Sequence, residues 1–374
     1  MTRREKLIRS GLNKWAKKSC KGILKYATGV GKTYAAILAI EKFSELFPEK
    51  NILVVCPTVT VIDNFKDEFK KFKKQKLLKN CKFICYASIR KEDGNDYSLV
   101  VLDEIHHITT DVKMKFFSLV TYEGILGLSA SLTDTQIYDL KFYLSIVDEI
   151  SLKDVENEDF ISKYTIINYP IEFTKEEKQL YDEYTNAIDY AWMTFHKQSW
   201  KYINKRSRLI YSAFNKLQAA EDIVKLFPNK YGIIFSLSTD FADKIADKLG
   251  NTCVAIHSKH SKKLRRSKLR SFSDKRTKLR VVSVPKIFDE GVTIPQLSFE
   301  ILLARHSKIK QQIQTLGRIV RKDIKDKHAI AIRVYVKNSI EQKWVTTSQE
   351  GFNVKNVNSY ANLKDIIKQI TKTQ

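Results

Sequence analysis

One pattern constrains this chain more than any other, and it occurs twice: short apolar, β-branched runs alternate with longer, charged, amphipathic stretches. Runs of that kind are strands buried on both faces, with helices covering the sheet, so the pattern predicts an α/β fold with parallel sheets. In the first half the strands are expected at "NILVVCPT" (51–58), "CKFICYAS" (81–88), "YSLVVLDE" (97–104) and "GILGLSAS" (124–131). Between the first two, "VIDNFKDEFKKFKK" carries its apolar residues at helical spacing. The pattern breaks after about residue 150, where an acidic loop and an extended segment lead into two or more helices opened by a Thr174/Glu177 capping box. Strands resume at "YGIIFSLS" (231–238), "KLRVVSVP" (278–285), "SFEILLA" (298–304) and "AIAIRVYV" (329–336). The expected organisation is a first α/β domain over 1–150, a linker and helical insertion over 151–228, a second α/β domain over 229–350 and a C-terminal helix over 351–374.

A chain of 374 residues can bury two cores of ordinary size. No run of 18 apolar residues is present, which argues against a membrane partner, and "MTRREKLIRSGLNKW" lacks the apolar core of a secretory signal. The five cysteines show no paired CxxC spacing, so a reducing, intracellular setting without a disulfide framework or zinc cluster is expected. Lys plus Arg (66) exceeds Asp plus Glu (42), a formal charge of +24 that attracts polyanions, and nucleic acid is the first partner to consider. The alternative is an AT-rich genome that inflates Lys and leaves a solvated basic surface.

The segment "YATGVGKT" (26–33) has the glycines, the following helix "YAAILAIEKF" and the lysine of a phosphate-binding loop, but Tyr26 stands where the strict GxxxxGK[ST] pattern has glycine. Thr28, Gly29, Val30 and Gly31 would cradle phosphates, Lys32 would reach the β- and γ-phosphates, and Thr33 would ligate Mg²⁺. A second element lies 71 residues beyond Lys32, where the apolar strand "LVVL" ends in "DEIHH". Asp103 at the carboxyl end of a buried parallel strand can hold the metal beside Thr33, and Glu104 can orient and deprotonate an attacking water.

Taken in order, "ATGVGKT", "DEIH" and "GLSAS" resemble motifs I, II and III of the superfamily 2 DExH-box helicases, which makes Tyr26 the end of a strand and Ala27 the start of the loop, while "FDEGVTIPQL" (288–297) and "QTLGRIVR" (314–321) resemble motifs V and VI. The likeness covers nearly the whole chain and implies two tandem RecA-like domains, with ATP and Mg²⁺ as cofactors. It further implies that Gln314 approaches the γ-phosphate, that Arg318 and Arg321 stabilise the transition-state charge, and that Asp289 and Gly291 lie near the ribose. Ser129, Ser131 and His106 would couple hydrolysis to strand binding. Nucleic-acid phosphates would be met by Pro57, Thr58, Ser88, Ser236, His257 and Ser283, contacts that carry no base preference.

Two departures stand out. No glutamine precedes motif I to read adenine, the first in the chain being Gln75, and motif III ends in "SAS" rather than "SAT". The linking segment and "TLGRIVRK" look most like the group of phage branch-migration helicases, restriction-enzyme motors and XPB-type helicases. The resemblance therefore points to a DNA helicase or translocase acting on single-stranded, forked or branched DNA, monomeric, of viral or phage origin and located in the host cytoplasm. A DExH RNA helicase and a non-motor binding protein with an inactive nucleotide site are the alternatives. The basic stretches 70–82 and 259–280 could add phosphate contacts. Trp200, Tyr202 and Tyr211, interleaved with basic residues, suit base stacking but sit at helical spacing that more often marks a core.

Overall fold

Each run of alternating strands and helices closes into its own parallel sheet. The computed structural model describes residues 2–110, 114–151, 154–155, 160–194, 199–274, 276–285, 297–304, 316, 319–320, 327–347 and 352–372. The chain divides after Ile161. Before that point, six strands assemble in the order β3-β2-β4-β5-β1-β6. They are β1 (Lys21–Tyr26), β2 (Ile52–Cys56), β3 (Cys81–Cys85), β4 (Asp96–Asp103), β5 (Thr121–Ser129) and β6 (Ile146–Ile150). Every pairing is parallel.

The reason is visible in β2 and β4, whose Ile52–Cys56 and Leu99–Leu102 residues are all fully buried. Such runs have no face for water and fit only between covering layers. The cover includes α1 (Arg3–Lys17), α2 (Lys32–Leu46), α3 (Val59–Lys71) and α4 (Asp134–Leu140). In α3 the buried Ile62, Phe65 and Phe69 recur at helical spacing, while Lys66, Asp67, Lys70 and Lys71 stay outside the core.

In the second unit, β7 (Lys163–Ile171), β8 (Tyr231–Ser236), β9 (Cys253–Ala255), β10 (Val281–Pro285), β11 (Leu297–Leu302), β12 (His328–Val336) and β13 (Val354–Asn356) form a sheet in the order β13-β7-β12-β11-β8-β10-β9. This departs from the boundaries expected over 151–228. The extended segment is β7, in unbroken parallel register with β12 from Lys163↔His328 to Ile171↔Val336. Its Tyr164, Ile166 and Ile167 are buried, so it is a sheet strand and not a connector.

The helices α5 (Lys175–Met193), α6 (Ser199–Tyr211) and α7 (Phe214–Lys225) follow, and the capping box opens α5, with Thr174 Oγ1 accepting from the Glu177 amide at 3.2 Å. Ala219, Ala220 and Ile223 of α7 belong to the second core. After α8 (Thr239–Leu249), α9 (Lys262–Ser273) and α10 (Ile340–Thr347), the C-terminal helix α11 (Tyr360–Lys372) adds Leu363, Ile367 and Ile370 to that core.

A buried ion pair fastens this unit. Lys216 Nζ donates to Glu341 Oε1 and Oε2 at 2.8 and 2.9 Å, and Glu341 Oε2 also accepts from the Val336 amide at 2.9 Å. Both side chains are fully enclosed. The expectation that the aromatics of α6 are core is half corrected. Tyr211 is buried, but Trp200 is 70% exposed. The two share a helix face, yet about 16 Å of helical rise separates them, and only the C-terminal end of α6 overlies the core.

Candidate nucleotide site

Motifs I, II and III arrive together at the carboxyl end of one sheet because their strands are adjacent, parallel and in register. Asp103 of β4 lies opposite Leu128 of β5, and Ser129 lies opposite Lys25 of β1, so the carboxyl ends of the three strands are level. Open α/β sheets place ligands at such ends. Tyr26 is the last residue of β1, fully buried, and its hydroxyl donates to Asp148 Oδ2 at 2.7 Å. Burial, then the bond to Asp148, pushes its pKa far above the ordinary phenol value, so it remains a neutral donor. The residue that breaks the strict loop pattern is thus a strand anchor, and the loop begins at Ala27.

Gly29 (φ +92°) and Gly31 (φ +112°) take left-handed conformations that side chains disfavour. A Cβ on Gly29 would lie 2.9 Å from Ile161 Cγ2, too close for a real contact. Gly31 caps α2 without a side-chain acceptor, so the helix N-terminus keeps its partial positive charge for an anion. The Thr28 hydroxyl is buried with no partner, and Val30, also in the loop, is fully buried. An uncapped helix start, two permissive glycines and an orphaned hydroxyl fit a phosphate chain.

Lys32 Nζ donates to the Tyr26 carbonyl at 3.4 Å and lies 3.6 Å from Glu104 Oε1. Glu104 sits at φ +49°, a left-handed backbone unusual for a side-chain-bearing residue and often associated with functional strain. Its second oxygen is 3.4 Å from His106 Nδ1, and the same nitrogen lies 3.5 Å from Ser129 Oγ. Ser129 Oγ in turn donates to the Ser131 carbonyl at 3.0 Å and accepts from the Ser131 amide at 3.3 Å. Lys32, Glu104, His106, Ser129 and Ser131 are therefore one contact chain across the three motifs. Asp103 is 8% exposed, and its carbonyl accepts from the Tyr86 hydroxyl at 2.9 Å.

One contributor was not anticipated from sequence. Arg4 of α1 donates through Nη2 to the Gly29 carbonyl and, at 3.2 Å, to the Phe160 carbonyl, with its guanidinium 5.6 Å from the Phe160 ring centroid. Partial burial lowers its pKa, though arginine stays charged at neutral pH. Arg4 lies 25 residues before Gly29 in a helix that reads as an ordinary charged segment, so only the fold reveals the contact.

Among the expected nucleic-acid contacts, Thr58 is the N-cap of α3, accepting from the Val61 amide at 3.4 Å, while Pro57 and Ser88 are half-buried. Ser236, His257 and Ser283 are 1%, 3% and 0% exposed. Ser236 donates to the Ser238 carbonyl at 3.1 Å, and the Ser283 hydroxyl has no partner. Gln314, Arg318, Arg321, Asp289 and Gly291 lie outside the described residues.

Fold and site together define a P-loop nucleoside triphosphatase. Residues 3–134 match the type III restriction enzyme res subunit family and residues 215–323 match the helicase conserved C-terminal domain. The chain is a superfamily 2 helicase of the kind that resembles XPB and restriction motors, an ATP-dependent helicase or ATPase. It is 26% identical to the DNA 3'-5' translocase XPB2 of Sulfurisphaera tokodaii, over 88% of this chain and 80% of that one. It is 23% identical to the general transcription and DNA repair factor IIH helicase/translocase subunit XPB of Dictyostelium discoideum, over 80% of this chain but only 39% of that longer protein.

Among solved structures, Dbp5 of S. cerevisiae bound to RNA and ADP BeF3 shares the fold at a TM-score of 0.68, with 14% identity over 98% of this chain and 93% of that one. The type ISP restriction-modification enzyme LlaBIII bound to DNA does so at 0.63, with 13% identity over 99% of this chain and 32% of that one. Helicases of this family use ATP, typically with Mg²⁺.

Proposed function

We propose that this chain is a DNA motor that couples ATP hydrolysis to translocation on, or unwinding of, forked or branched DNA. The observation that carries the proposal is the continuous contact from Lys32 through Glu104 and His106 to Ser129. It joins the residue that would hold the γ-phosphate to the strand end that would respond to the track. The likeness to an archaeal DNA translocase supports DNA as that track.

Bound ATP would supply the phosphoanhydride whose hydrolysis drives the motor. The loop amides from Thr28 to Gly31 would hold its phosphates, and Lys32 would exchange Glu104 for the γ-phosphate. Thr33 and Asp103 would hold Mg²⁺. Glu104, released from Lys32 but still beside His106, would orient water and accept its proton. Asp289, Gly291, Gln314, Arg318 and Arg321 keep the roles that resemblance assigns them. The Lys-rich composition supports a viral or phage origin, and with it a place in the host cytoplasm and action as a monomer.

The test compares ATPase stimulation and strand separation on single-stranded, forked and four-way DNA and on RNA duplexes. Stimulation by forked or four-way DNA above the other substrates is expected. Stimulation by RNA alone would transfer the motor to RNA, and none by any nucleic acid would remove the motor reading.

A further inference from the structure

We infer that the second unit carries a zinc-class divalent cation site built from Asp243, His257 and His260. A carboxylate oxygen of Asp243 and one ring nitrogen from each histidine lie within 4.8 Å of one another. Ligands of a tetrahedral zinc site stand about 3.3 Å apart, given metal–ligand bonds near 2 Å, so a modest contraction closes the cluster. The donors are of the right chemistry, because two imidazoles and one carboxylate with a fourth position open to water suit a borderline cation.

The placement favours a built site over a chance meeting. His257 follows β9 and is 3% exposed, with its Nε2 at 2.9 and 3.1 Å from the two Asp243 oxygens. His260 comes three residues later, its ring now stacked on that of His257 at 3.8 Å between centroids, so ligation requires the His260 ring to turn until both in-plane lone pairs meet at one point. Asp243 approaches from a separate element, one turn into α8. Three ligands from two elements, one of them almost wholly buried, form a staple between α8 and the loop that leads into α9.

Protein groups alone leave this cluster underbonded. His257 Nδ1 is buried with no partner. The two ring nitrogens of His260 each face a donor, the His257 amide at 3.4 Å and the Lys268 ammonium at 3.2 Å. A neutral imidazole has a single lone pair to offer, and the Nε2 position that now faces Lys268 is the one a metal would take. Lys268 is the cation now at the edge of the cluster, and it has a second acceptor in the Ala255 carbonyl at 2.9 Å, so an incoming metal can displace it from His260 without orphaning it. The site lies wholly within the second unit and requires no nucleotide, which separates its test from that of the motor.

The test is titration of the full chain with Co²⁺ as a spectroscopic stand-in, followed by competition with Zn²⁺. One equivalent should bind with visible d–d bands and without a thiolate charge-transfer band, which excludes the cysteines as the ligands. Asp243→Asn and His260→Ala alter side chains that retain solvent contact, and each should weaken binding by about 100-fold or more, since even outer-shell losses cost 10- to 100-fold. Lys268→Met should tighten it. A measurement without variants is protection of His260 from acylation by diethylpyrocarbonate when Zn²⁺ is present. Absence of binding at sub-millimolar metal, affinity retained in both ligand variants, or acylation of His260 at the same rate with and without Zn²⁺ would overturn the site.

Discussion

Lys32 and Glu104 restrain each other at 3.6 Å, and that pairing has a kinetic consequence. Removal of the lysine takes away the charge that would meet the γ-phosphate, and removal of the carboxylate takes away the proposed base. Lys32→Ala and Glu104→Gln should each lower nucleic-acid-stimulated ATPase turnover by about 100-fold or more, the range for a lost general base or charge-stabilising group. Unchanged turnover in purified Glu104→Gln would sink the hydrolytic assignment. Arg4 makes a different prediction, since it touches the loop carbonyl and not the reacting atoms. Arg4→Ala should raise the apparent KM for ATP by about tenfold with a smaller change in kcat, the cost of one charge-assisted hydrogen bond. Initial-rate kinetics over a range of ATP concentrations separate the two parameters. The meeting of Lys32 with Glu104 was legible in the sequence, because a lysine that opens a helix after a glycine loop and a carboxylate that follows a buried strand are local patterns. Arg4 was not, because no local pattern marks a side chain that reaches a loop 25 residues away.

At the scale of elements, burial patterns decide what each helix does. Lys216 on α7 and Glu341 on α10 are fully enclosed and satisfy one another. Lys216→Met removes the ammonium that both carboxylate oxygens of the buried Glu341 accept from and should cost about 3–5 kcal/mol, read from the urea midpoint of the second unit. The helix pair α5–α6 behaves oppositely. Trp192 and Trp200 are 66% and 70% exposed, so Trp192→Ser and Trp200→Ser should leave stability within about 0.5 kcal/mol, measured by the same unfolding. If those rings stack on bases, each should also weaken single-stranded DNA binding, by about 1–3 kcal/mol, in fluorescence anisotropy. Periodicity located these helices correctly and even the capping box of α5, but it could not say which end of α6 lies over a core. Strand β7 escaped for a related reason. An extended segment declares itself a sheet member only when its neighbour, here β12 more than 150 residues later, is known.

Across the whole molecule the formal charge of +24 makes electrostatics the first term in any encounter with nucleic acid. The observed binding constant should fall steeply with salt, its logarithm linear in log salt with a slope of about −0.7 to −0.9 per phosphate neutralised. Anisotropy titrations from low to physiological ionic strength give that slope directly, and a slope near zero would return the basic surface to a solvated face without a ligand. Among the described residues no helix is long and apolar enough to cross a membrane.

The amino-acid sequence by itself determined the alternation of strands and helices, the phosphate loop and the acidic strand end. These depend on local periodicity and on residue chemistry at fixed spacing, which survive in one dimension. The tertiary structure alone decided that Tyr26 is a buried anchor, that Arg4 holds the loop and that β7 joins the second sheet. It also decided that Asp243 meets His257 and His260. Each of those is a contact between distant segments, set by parallel register and packing, and no spacing along the chain encodes which strand will lie beside which.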